Sequence, residues 1–201
     1  YYLIFLKRLI ENLNGDRDSQ SDSDAISTLS SVYISLGSKL GLKSTRRCGI
    51  CVERINGVRL EKLKSYIEKF LDTIKEKVFD LSYSIHVDNN RDNFWIIIDA
   101  NSIEDNVACI IAVGEIIEQN SFPQQYVSAV FEFNKEGIEY QPYYLIYNYK
   151  LDKFYPFVPI VNRRNTRDKQ EEIKIMEAVK DDRLPFEEDM EEWRPIWYLP
   201  F

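Results

Sequence analysis

Alternating apolar and polar positions mark several short segments of this chain, a pattern that is typical of β-strands. Strands are predicted over residues 47–55, 80–87, 94–98, 126–133 and 140–149. Residues 94–98 are apolar on both faces, so we expect a central strand that is covered on both sides. The polar runs at 88–93 and 134–137 predict the turns that join neighbouring strands.

Apolar residues spaced three and four apart predict helices between these strands. One helix covers about residues 60–74. Ser102 begins the next helix, with Asp105 three residues later as a capping-box-like partner. Gly114 lies on the apolar side of this second helix and predicts a close approach to the sheet.

The first part of the chain differs in composition from the rest. Residues 1–13 carry apolar side chains at helical spacing and predict an amphipathic helix. Residues 14–24 are polar, so we interpret them as a linker and expect the folded domain to begin near Ala25. Residues 31–36 predict a short strand or a turn of helix. We expect the helix at 1–13 to dock on its own domain, the alternative being contact with a membrane surface or a partner.

The predicted order from residue 47 to residue 133 is strand, helix, strand, strand, helix, strand. This is the order of the ferredoxin-like, split βαβ arrangement, in which two helices cover one face of an antiparallel sheet. The strand at 140–149 adds a hairpin to that sheet. We therefore predict an α+β fold with one domain over residues 25–201, preceded by the helix and linker of residues 1–24.

The last third of the chain, residues 154–201, concentrates prolines, tryptophans, arginines and acids, and we call it the C-terminal clamp. A helix is predicted over about residues 167–181, where Asp168 and Glu171 in the first turn complement the positive end of the helix dipole. The dipeptide Leu184-Pro185 then predicts a turn that returns an aromatic tail to the sheet.

Two contacts are expected within the clamp. At least one of the indoles of Trp193 and Trp197 should pack against residues 154–159. One of three arginines should pair with one of three acids, the candidates being Arg163, Arg164 and Arg167 with Glu187, Asp189 and Glu191. We interpret Trp193 as a structural residue, because buried aromatic side chains belong more often to a core than to a binding site.

Composition excludes several classes of function. With 201 residues, of which 44% are hydrophobic and 29% charged, the chain can bury a core without disulfides or metals. A net charge of −7 argues against non-specific nucleic-acid binding, and neither a glycine-rich phosphate loop nor an RNA-binding strand signature is present. The three cysteines, an odd number, predict no disulfide framework and fit a reducing compartment.

Cys48 and Cys51 have the spacing of a redox dithiol, which needs its first thiol at a helix N-terminus. A predicted strand instead places them on opposite faces, with Cα atoms roughly 10 Å apart, beyond the disulfide limit of about 7 Å. A zinc site would need Cys109 and His86, which lie on other predicted elements. We predict reduced, unbridged cysteines, and we interpret His86, the single histidine, as a solvated residue of a sheet face.

A group of acids near the end of the chain has the residue types of a carboxylate-pair enzyme or a metal site: Glu187, Glu188, Asp189, Glu191 and Glu192. Such charge runs are mostly solvated surface, and no partner acid or base is identifiable. We therefore predict a non-enzymatic protein without a cofactor or metal. The alternative is an enzyme or metal-binding protein that uses these acids or the Cys48 and Cys51 pair.

The clamp contains a spaced pattern of aromatic, proline and charged residues. Its first half supplies Tyr155, Pro156, Phe157, Pro159, Arg167, Asp168 and Glu172, and its second half supplies Leu184, Pro185, Glu187, Asp189, Trp193, Pro195 and Trp197. With this pattern the chain resembles the PspA-associated protein family PspAB over roughly residues 31–197. Met190 stands where the family pattern has Leu, and Gly49 and Cys51 match its Gly-x-Cys strand, in which a second cysteine such as Cys48 is not expected.

The resemblance implies an accessory or adaptor role rather than a reaction. Members of the family are found beside PspA, a membrane-associated envelope-stress protein, and beside the membrane protease HtpX, and no enzymatic activity is established for them. A cytoplasmic protein with a PspA-like or HtpX-like protein partner is therefore implied, with the clamp residues as the candidate interaction or structural motif. Peripheral membrane contact is expected only through residues 1–13.

Overall fold

The structure is a computed structural model, and it describes residues 20–53, 57–77, 81–120, 127–139 and 141–201. The helices are α1 (Gln20–Leu40), α2 (Gly57–Lys77), α3 (Ile103–Gln119) and α4 (Lys169–Val179). The strands are β1 (Leu42–Glu53), β2 (Ser82–Asp88), β3 (Asn93–Asp99), β4 (Val127–Lys135), β5 (Pro142–Asn148) and β6 (Lys153–Phe157). Within these ranges, no helix has both the length and the apolar character that crossing a membrane requires. The amphipathic helix predicted for residues 1–13 lies outside the described residues.

The six strands form one antiparallel sheet in the order β2-β3-β1-β4-β5-β6. The predicted α+β class with an antiparallel sheet is therefore confirmed. Residues 94–98 of β3 are buried without exception, as expected for a central strand covered on both faces. β6 begins one residue before the segment that the sequence assigned to the clamp, so the clamp supplies four of the five residues of this strand.

One face of the sheet, which we call the helix face, is covered by helices. Ile50 of β1 and Ile96 of β3 stand opposite each other on this face and are completely buried. They belong to a core that includes Ile67 of α2, Val107 of α3 and Leu29 of α1. The apolar stripe of each helix therefore meets the apolar positions of alternating strands, which is the packing that the sequence pattern predicts.

Helix α1 includes residues 20–24 of the predicted linker and residues 31–36, where the helical alternative is correct and the short strand is not. It begins at Gln20, inside the predicted linker, and buries Ile26, Leu29 and Leu36 at helical spacing. The serines between these positions favour loops and caps over helix interiors, which is why the local signal was weak. α1 packs against α3 and α4, and this tertiary burial outweighs the low helix propensity.

Capping side chains fix the beginnings of two helices. Ser102 caps α3 as predicted, since its Oγ accepts a hydrogen bond from the Asp105 amide at 3.1 Å. Asp168 is the N-cap of α4 rather than a member of its first turn. Its carboxylate accepts hydrogen bonds from the amides of Gln170 and Glu171 at 3.2 and 3.1 Å. Both caps satisfy amides that a helix leaves without an internal partner.

Gly114 of α3 permits a close approach, but the group that approaches is different from the predicted one. A Cβ atom at this position would collide with the hydroxyl of Tyr149, which directly follows β5. The glycine therefore makes room for one phenol ring against the helix rather than for a strand of the sheet.

Candidate functional site

The C-terminal tail, residues 184–201, covers the face of the sheet opposite the helices, which we call the tail face. The strands present a buried set of side chains there: Cys51, Trp95, Ile97, Val130, Tyr144, Ile146, Tyr155 and Phe157. Trp193 is buried in the same cluster, and Ile196, Trp197 and Phe201 pack against it. Residues 193–201 have no regular secondary structure, so contacts with other elements hold them in place.

Phe201 lies over β1 because a glycine leaves space there. A Cβ atom on Gly49 would lie 2.9 Å from Cε1 of Phe201, which is too close for two carbon atoms. The Phe201 ring meets the Trp95 ring edge-on at a centroid distance of 6.1 Å and the Tyr144 ring at 5.8 Å. Gly49 therefore leaves the space in which the Phe201 ring of the tail packs on the middle of the sheet.

The tail begins with the turn that was predicted at Leu184-Pro185. The Phe154 amide donates to the Pro185 carbonyl at 2.8 Å, and the Glu187 amide donates to the Phe154 carbonyl at 2.8 Å. These two bonds form a parallel bridge between Phe154 and Phe186. The turn therefore runs along the outer edge of β6 and covers part of it.

Trp193 anchors the turn to the rest of the tail. The residue is only 4% exposed, and its Nε1 donates a hydrogen bond to the Glu187 carbonyl at 2.8 Å. Its ring packs edge-on against Phe186, with centroids 6.1 Å apart. The indole thus fills apolar space and satisfies its one polar atom, which is the structural role predicted for it.

The predicted contact between an indole and residues 154–159 is confirmed by Trp197. Its ring packs edge-on against Phe157 of β6, with centroids 5.2 Å apart. The hydroxyl of Tyr155, on the same strand, donates to the Arg194 carbonyl at 3.0 Å. Strand β6 therefore holds the tail both through a ring contact and through a backbone carbonyl.

Arg167 connects β6, α4 and the tail. Its Nε lies 2.8 Å from both carboxylate oxygens of Glu172, and its terminal nitrogens donate to the carbonyls of Trp193 at 2.8 Å and Pro156 at 3.2 Å. Glu172 also accepts a hydrogen bond from the Val158 amide at 2.9 Å. Because Glu172 is completely buried, loss of Arg167 would take away the cation that favours its ionised form in the protein interior.

Adjacent glutamates of α4 respond to their surroundings in opposite ways. Burial raises the pKa of Glu172, although the hydrogen bond from Arg167 favours its charged form. Burial also opposes ionisation of Glu171, but ammonium groups of Lys135 and Lys174, each 2.6 Å from its carboxylate, lower its pKa to about 2. Glu171 is therefore a well-compensated ion, whereas the charge of Glu172 depends on one arginine.

The ion pairs predicted within the clamp are wrong. They were expected between Arg163, Arg164 or Arg167 and Glu187, Asp189 or Glu191. Among the described residues, Arg167 pairs with Glu172 at 2.8 Å, and Glu187 pairs with Lys153 of β6 at 3.2 Å. The reason is topological, because the turn at residues 184–187 follows β6 and brings Glu187 to that strand rather than to the loop before α4.

The other residues of the predicted motif serve the same framework. Pro159 forms an antiparallel bridge with Arg167, which places the guanidinium beside β6. Asp189 is exposed, and its carboxylate accepts a hydrogen bond from the Glu191 amide at 2.9 Å. Pro195 is exposed in the tail. Most of the motif therefore holds the clamp together, and Asp189 and Pro195 are members that solvent can reach.

Cys48 and Cys51 point to opposite faces of β1, as predicted. Cys48 lies in the core of the helix face and Cys51 in the cluster of the tail face, and both thiols are free. Burial raises the pKa of both thiols, and it raises the pKa of Cys109 to about 12. This arrangement differs from the exposed, low-pKa dithiol that redox catalysis uses.

The remaining candidates for chemistry lie at the surface. His86 is exposed on β2, with Nε2 3.0 Å from the Ser84 hydroxyl oxygen. Glu188 and Glu191 are exposed, and Glu192 is half-buried. In the part of the chain that the structure describes, no group of three or more His, Cys, Asp or Glu side chains is placed to hold a metal ion. The tail acids are therefore surface groups rather than members of an enclosed site.

Sequence reasoning missed the lysines that compensate the clamp acids. Lys153 pairs with Glu187 and Lys135 with Glu171, across separations in sequence that carry no periodic signal. Gly49 did carry a signal, because a glycine inside a strand indicates that another group approaches the backbone closely. Nothing in the strand itself, however, identified the approaching group.

The sequence pattern of the clamp has a counterpart in a known protein family. The family model described as PspA associated protein B (PspAB) matches residues 4–201, nearly the whole chain. No curated protein and no solved structure matches. The resemblance, which the clamp residues carry and which was expected over roughly residues 31–197, is therefore confirmed, and the match extends over residues 4–201.

Proposed function

We propose that this chain, which belongs to the PspA associated protein B family, is a non-enzymatic accessory or adaptor protein that acts on a protein partner of the PspA type. The observation that carries the proposal is the family match, which covers residues 4–201 and names PspA. The clamp supports it, because its aromatic and charged residues fix the tail on the sheet and so build a firm surface. A preformed surface lowers the entropic cost of binding a partner.

The turn at residues 188–191 is the part of the clamp that we expect the partner to contact. Glu188, Asp189 and Glu191 are exposed acids, and Met190 between them is 53% exposed. The Glu187 carboxylate accepts a hydrogen bond from the Asp189 amide at 2.9 Å and fixes the turn from behind. An apolar side chain surrounded by acids suits a partner surface with an apolar pocket and a basic rim.

The cellular setting is also part of the proposal. We expect a cytoplasmic protein of an envelope-stress system, with a PspA-like or an HtpX-like protein as partner. As the alternative to docking on their own domain, residues 1–13 would supply peripheral contact with the membrane. Flotation of the full chain with anionic liposomes tests this point, because deletion of residues 1–13 should abolish flotation and leave the domain folded. Unfolding on deletion would assign those residues to the core instead.

The finer fold proposal is a ferredoxin-like, split βαβ arrangement for β1–β4. The strand order β2-β3-β1-β4 supports it, as do the positions of α2 between β1 and β2 and of α3 between β3 and β4. β5, β6 and the tail would then be additions at one side of that arrangement. An experimental structure with a different connection between β1 and β2 would overturn it.

Within the residues that the structure describes, no geometric observation favours the alternative class, an enzyme or metal-binding protein. Glu187 is compensated by Lys153, and Cys48 and Cys51 lie on opposite faces of a strand. The other tail acids are on the surface and share no base or metal-ligand geometry in the described residues. We therefore propose binding rather than catalysis.

Titration calorimetry with the purified full chain and the PspA-type protein of the same organism tests the proposal. We expect a saturable complex, and we expect the triple variant Glu188→Lys, Met190→Ser, Glu191→Lys to weaken it at least about tenfold. The matched control is Glu61→Lys with Glu76→Lys, which makes the same charge change at exposed positions of α2 and should bind normally.

Each outcome decides a different part of the proposal. The absence of a complex with the wild-type chain would overturn the PspA-type partner. Equal binding by the triple variant and the control would show that residues 188–191 do not form the contact, whereas the PspA-type partner would still be supported.

A further inference from the structure

The outer edges of the sheet differ in how they are protected. The edge of β6 is partly covered by the tail through the bridge between Phe154 and Phe186, and Pro156 interrupts its row of amide donors. β2 forms the opposite edge and pairs with β3, and within the described ranges no strand lies on its outer side. An open edge presents unpaired N–H and C=O groups, and natural proteins usually block it.

None of the usual blocks is present in β2 itself. Its seven residues include neither proline nor lysine, and the pairing with β3 runs without a bulge from Ser82 and Asp99 to Asp88 and Asn93. Asp88 is its one formally charged residue, and Arg91 pairs with it. Val87, an apolar residue, is 41% exposed. This edge is therefore suited to accept a further strand.

We propose that the outer edge of β2 is an interface between two copies of this chain, paired antiparallel about Ile85. In that register Ile85 faces its own copy, and Tyr83 faces Val87 of the second copy. Ser84 likewise faces His86, and Ser82 faces Asp88 at the ends. Apolar residues meet apolar residues and polar residues meet polar residues, and no like charges stand opposite each other.

The faces of the sheet continue across this interface. Tyr83 and Ile85 pack partly against the core of the helix face. Ser84 and His86 point to the tail face, since they are paired with Ile97 and Trp95 of that face in β3. The apolar cross-strand pairs would therefore lie on the helix side and the polar pairs on the tail side, so the pleat is preserved from one copy to the other.

Neighbouring registers fit less well. A centre on His86 places two imidazoles opposite each other and leaves Ser82 and Tyr83 without partners within β2. A centre on Ser84 leaves Val87 and Asp88 without partners within β2. Only the centre on Ile85 pairs all seven residues of the strand. A seven-residue strand pair is a small interface, so we expect a dimer that dissociates in the micromolar range.

Analytical ultracentrifugation of the full chain tests the interface. We expect dimers at about 100 µM that dissociate towards about 1 µM. Ser84→Lys with His86→Lys places lysines opposite each other and should raise the dissociation constant at least about tenfold, and Ser84→Glu with His86→Glu should do the same. An equimolar mixture of the two variants should restore the dimer, because lysine then faces glutamate. The control, Ser38→Lys with Ser65→Lys, adds the same charge at exposed helix positions and should not alter association.

Crosslinking tests the register. Ser84→Cys with His86→Cys should form a covalent dimer under mild oxidation, because residues 84 and 86 face each other across the interface. Each single cysteine variant should crosslink at least about tenfold more slowly, since equivalent residues are then diagonal to each other. A chain that stays monomeric at about 100 µM, or a dimer that both double charge variants leave intact, would overturn the proposal. Faster crosslinking by a single variant would also overturn it, because it would exclude the centre on Ile85.

Discussion

The helix face and the tail face of the sheet are buried by different means. The helix face is filled mainly by aliphatic side chains of helices, such as Leu63, Ile67, Val107 and Ile110. The tail face is filled largely by rings, and part of its cover is a segment without regular secondary structure. Both faces exclude water, but the helix face is covered by elements that satisfy their own backbone hydrogen bonds, whereas part of the tail face is not.

This difference determines where stability is concentrated. A helix pairs its own amides and carbonyls, so it docks through an apolar stripe alone. The tail must find backbone partners on other elements. The carbonyls of Trp193, Arg194 and Glu187 accept hydrogen bonds from Arg167, Tyr155 and the Trp193 indole. We therefore expect a few anchors to decide the stability of the tail face, whereas many small contributions decide that of the helix face.

The largest effect is expected from Arg167→Met. This change takes the cationic partner from the buried Glu172 carboxyl, which must then stay charged without compensation or take up a proton, and it removes the bonds to the Trp193 and Pro156 carbonyls. We expect the free energy of unfolding to fall by about 5 kcal/mol, the upper part of the range for breaking a buried pair. Urea unfolding followed by tryptophan fluorescence measures it.

The double variant Arg167→Met with Glu172→Leu sharpens this test. Replacing both partners removes the uncompensated charge, so most of the lost stability should return. If the double variant is as unstable as the single variant, the buried charge is not the cause. The anchoring role would then rest on the hydrogen bonds of Arg167 to the tail alone.

Trp193→Ala should have the next largest effect. It removes a buried ring and the hydrogen bond to the Glu187 carbonyl, and we expect a loss of about 4 kcal/mol in the free energy of unfolding. If the tail opens first, a thiol reagent should label Cys51, beneath the tail, faster than Cys48. In the matched helix-face variant Ile67→Ala, the reagent should not label Cys51 faster than Cys48. Equal labelling of both thiols in Trp193→Ala would show that the two faces open together.

A smaller effect is expected from Gly49→Ala. The added methyl group meets the Phe201 ring at 2.9 Å, so the ring must shift from its place on β1. Overpacking of this kind should cost about 2 kcal/mol, measured as the change in the free energy of unfolding. Adding Phe201→Leu should recover part of the loss. If Phe201→Leu recovers none of the lost stability, the alanine disturbs the strand itself rather than the packing of Phe201 on β1.

The smallest effect is expected from Glu171→Gln, and it should depend on pH. The pKa of Glu171 is lowered to about 2, below the ordinary value of 4.5, so its ionised form contributes stability above pH 4.5 that is lost as pH falls towards 2. At pH 7 the variant should be about 1 kcal/mol less stable than the wild type, and near pH 2 the difference should vanish. A difference that is constant with pH would contradict the role of the ion pairs with Lys135 and Lys174.

The neighbouring residue should show the opposite dependence on pH. The pKa of Glu172 is raised, so its contribution to stability is present below the ordinary pKa of a glutamate and is lost as pH rises through the raised value. Glu172→Gln should therefore lose less stability, relative to wild type, at neutral pH than at pH 4. Comparison of the two variants separates the well-compensated ion from the one that depends on Arg167.

Local sequence patterns were sufficient to predict segments whose structure depends mainly on their own residues. The spacing of Leu63, Ile67 and Ile74 predicted α2, Ser102 predicted the start of α3, and the apolar run at residues 94–98 predicted a strand covered on both sides. The spaced residues of the clamp were sufficient to recognise the family. For the helix and strand elements the signal lies within about twenty residues, over which periodicity can be read directly.

Local pattern failed where a distant element decides. The serine-rich sequence of α1 favours loops by propensity, and it is helical because α3 and α4 bury Ile26, Leu29 and Leu36. The partners of Arg167 and Glu187 were wrongly predicted because β6 lies at the sheet edge, where the tail turn meets it.

The sequence by itself determined the α+β class, most of the elements, the separation of Cys48 from Cys51 and the family. Only the tertiary structure decided that the tail covers the second face of the sheet, that Gly49 leaves space for its Phe201 ring and that Arg167 holds it. The physical reason is that helices and strands are specified by neighbours in sequence. A segment without a hydrogen-bond ladder is instead specified by the side chains that lie beneath it on the sheet. The strand order that brings those side chains together cannot be read from the local periodicity of the sequence.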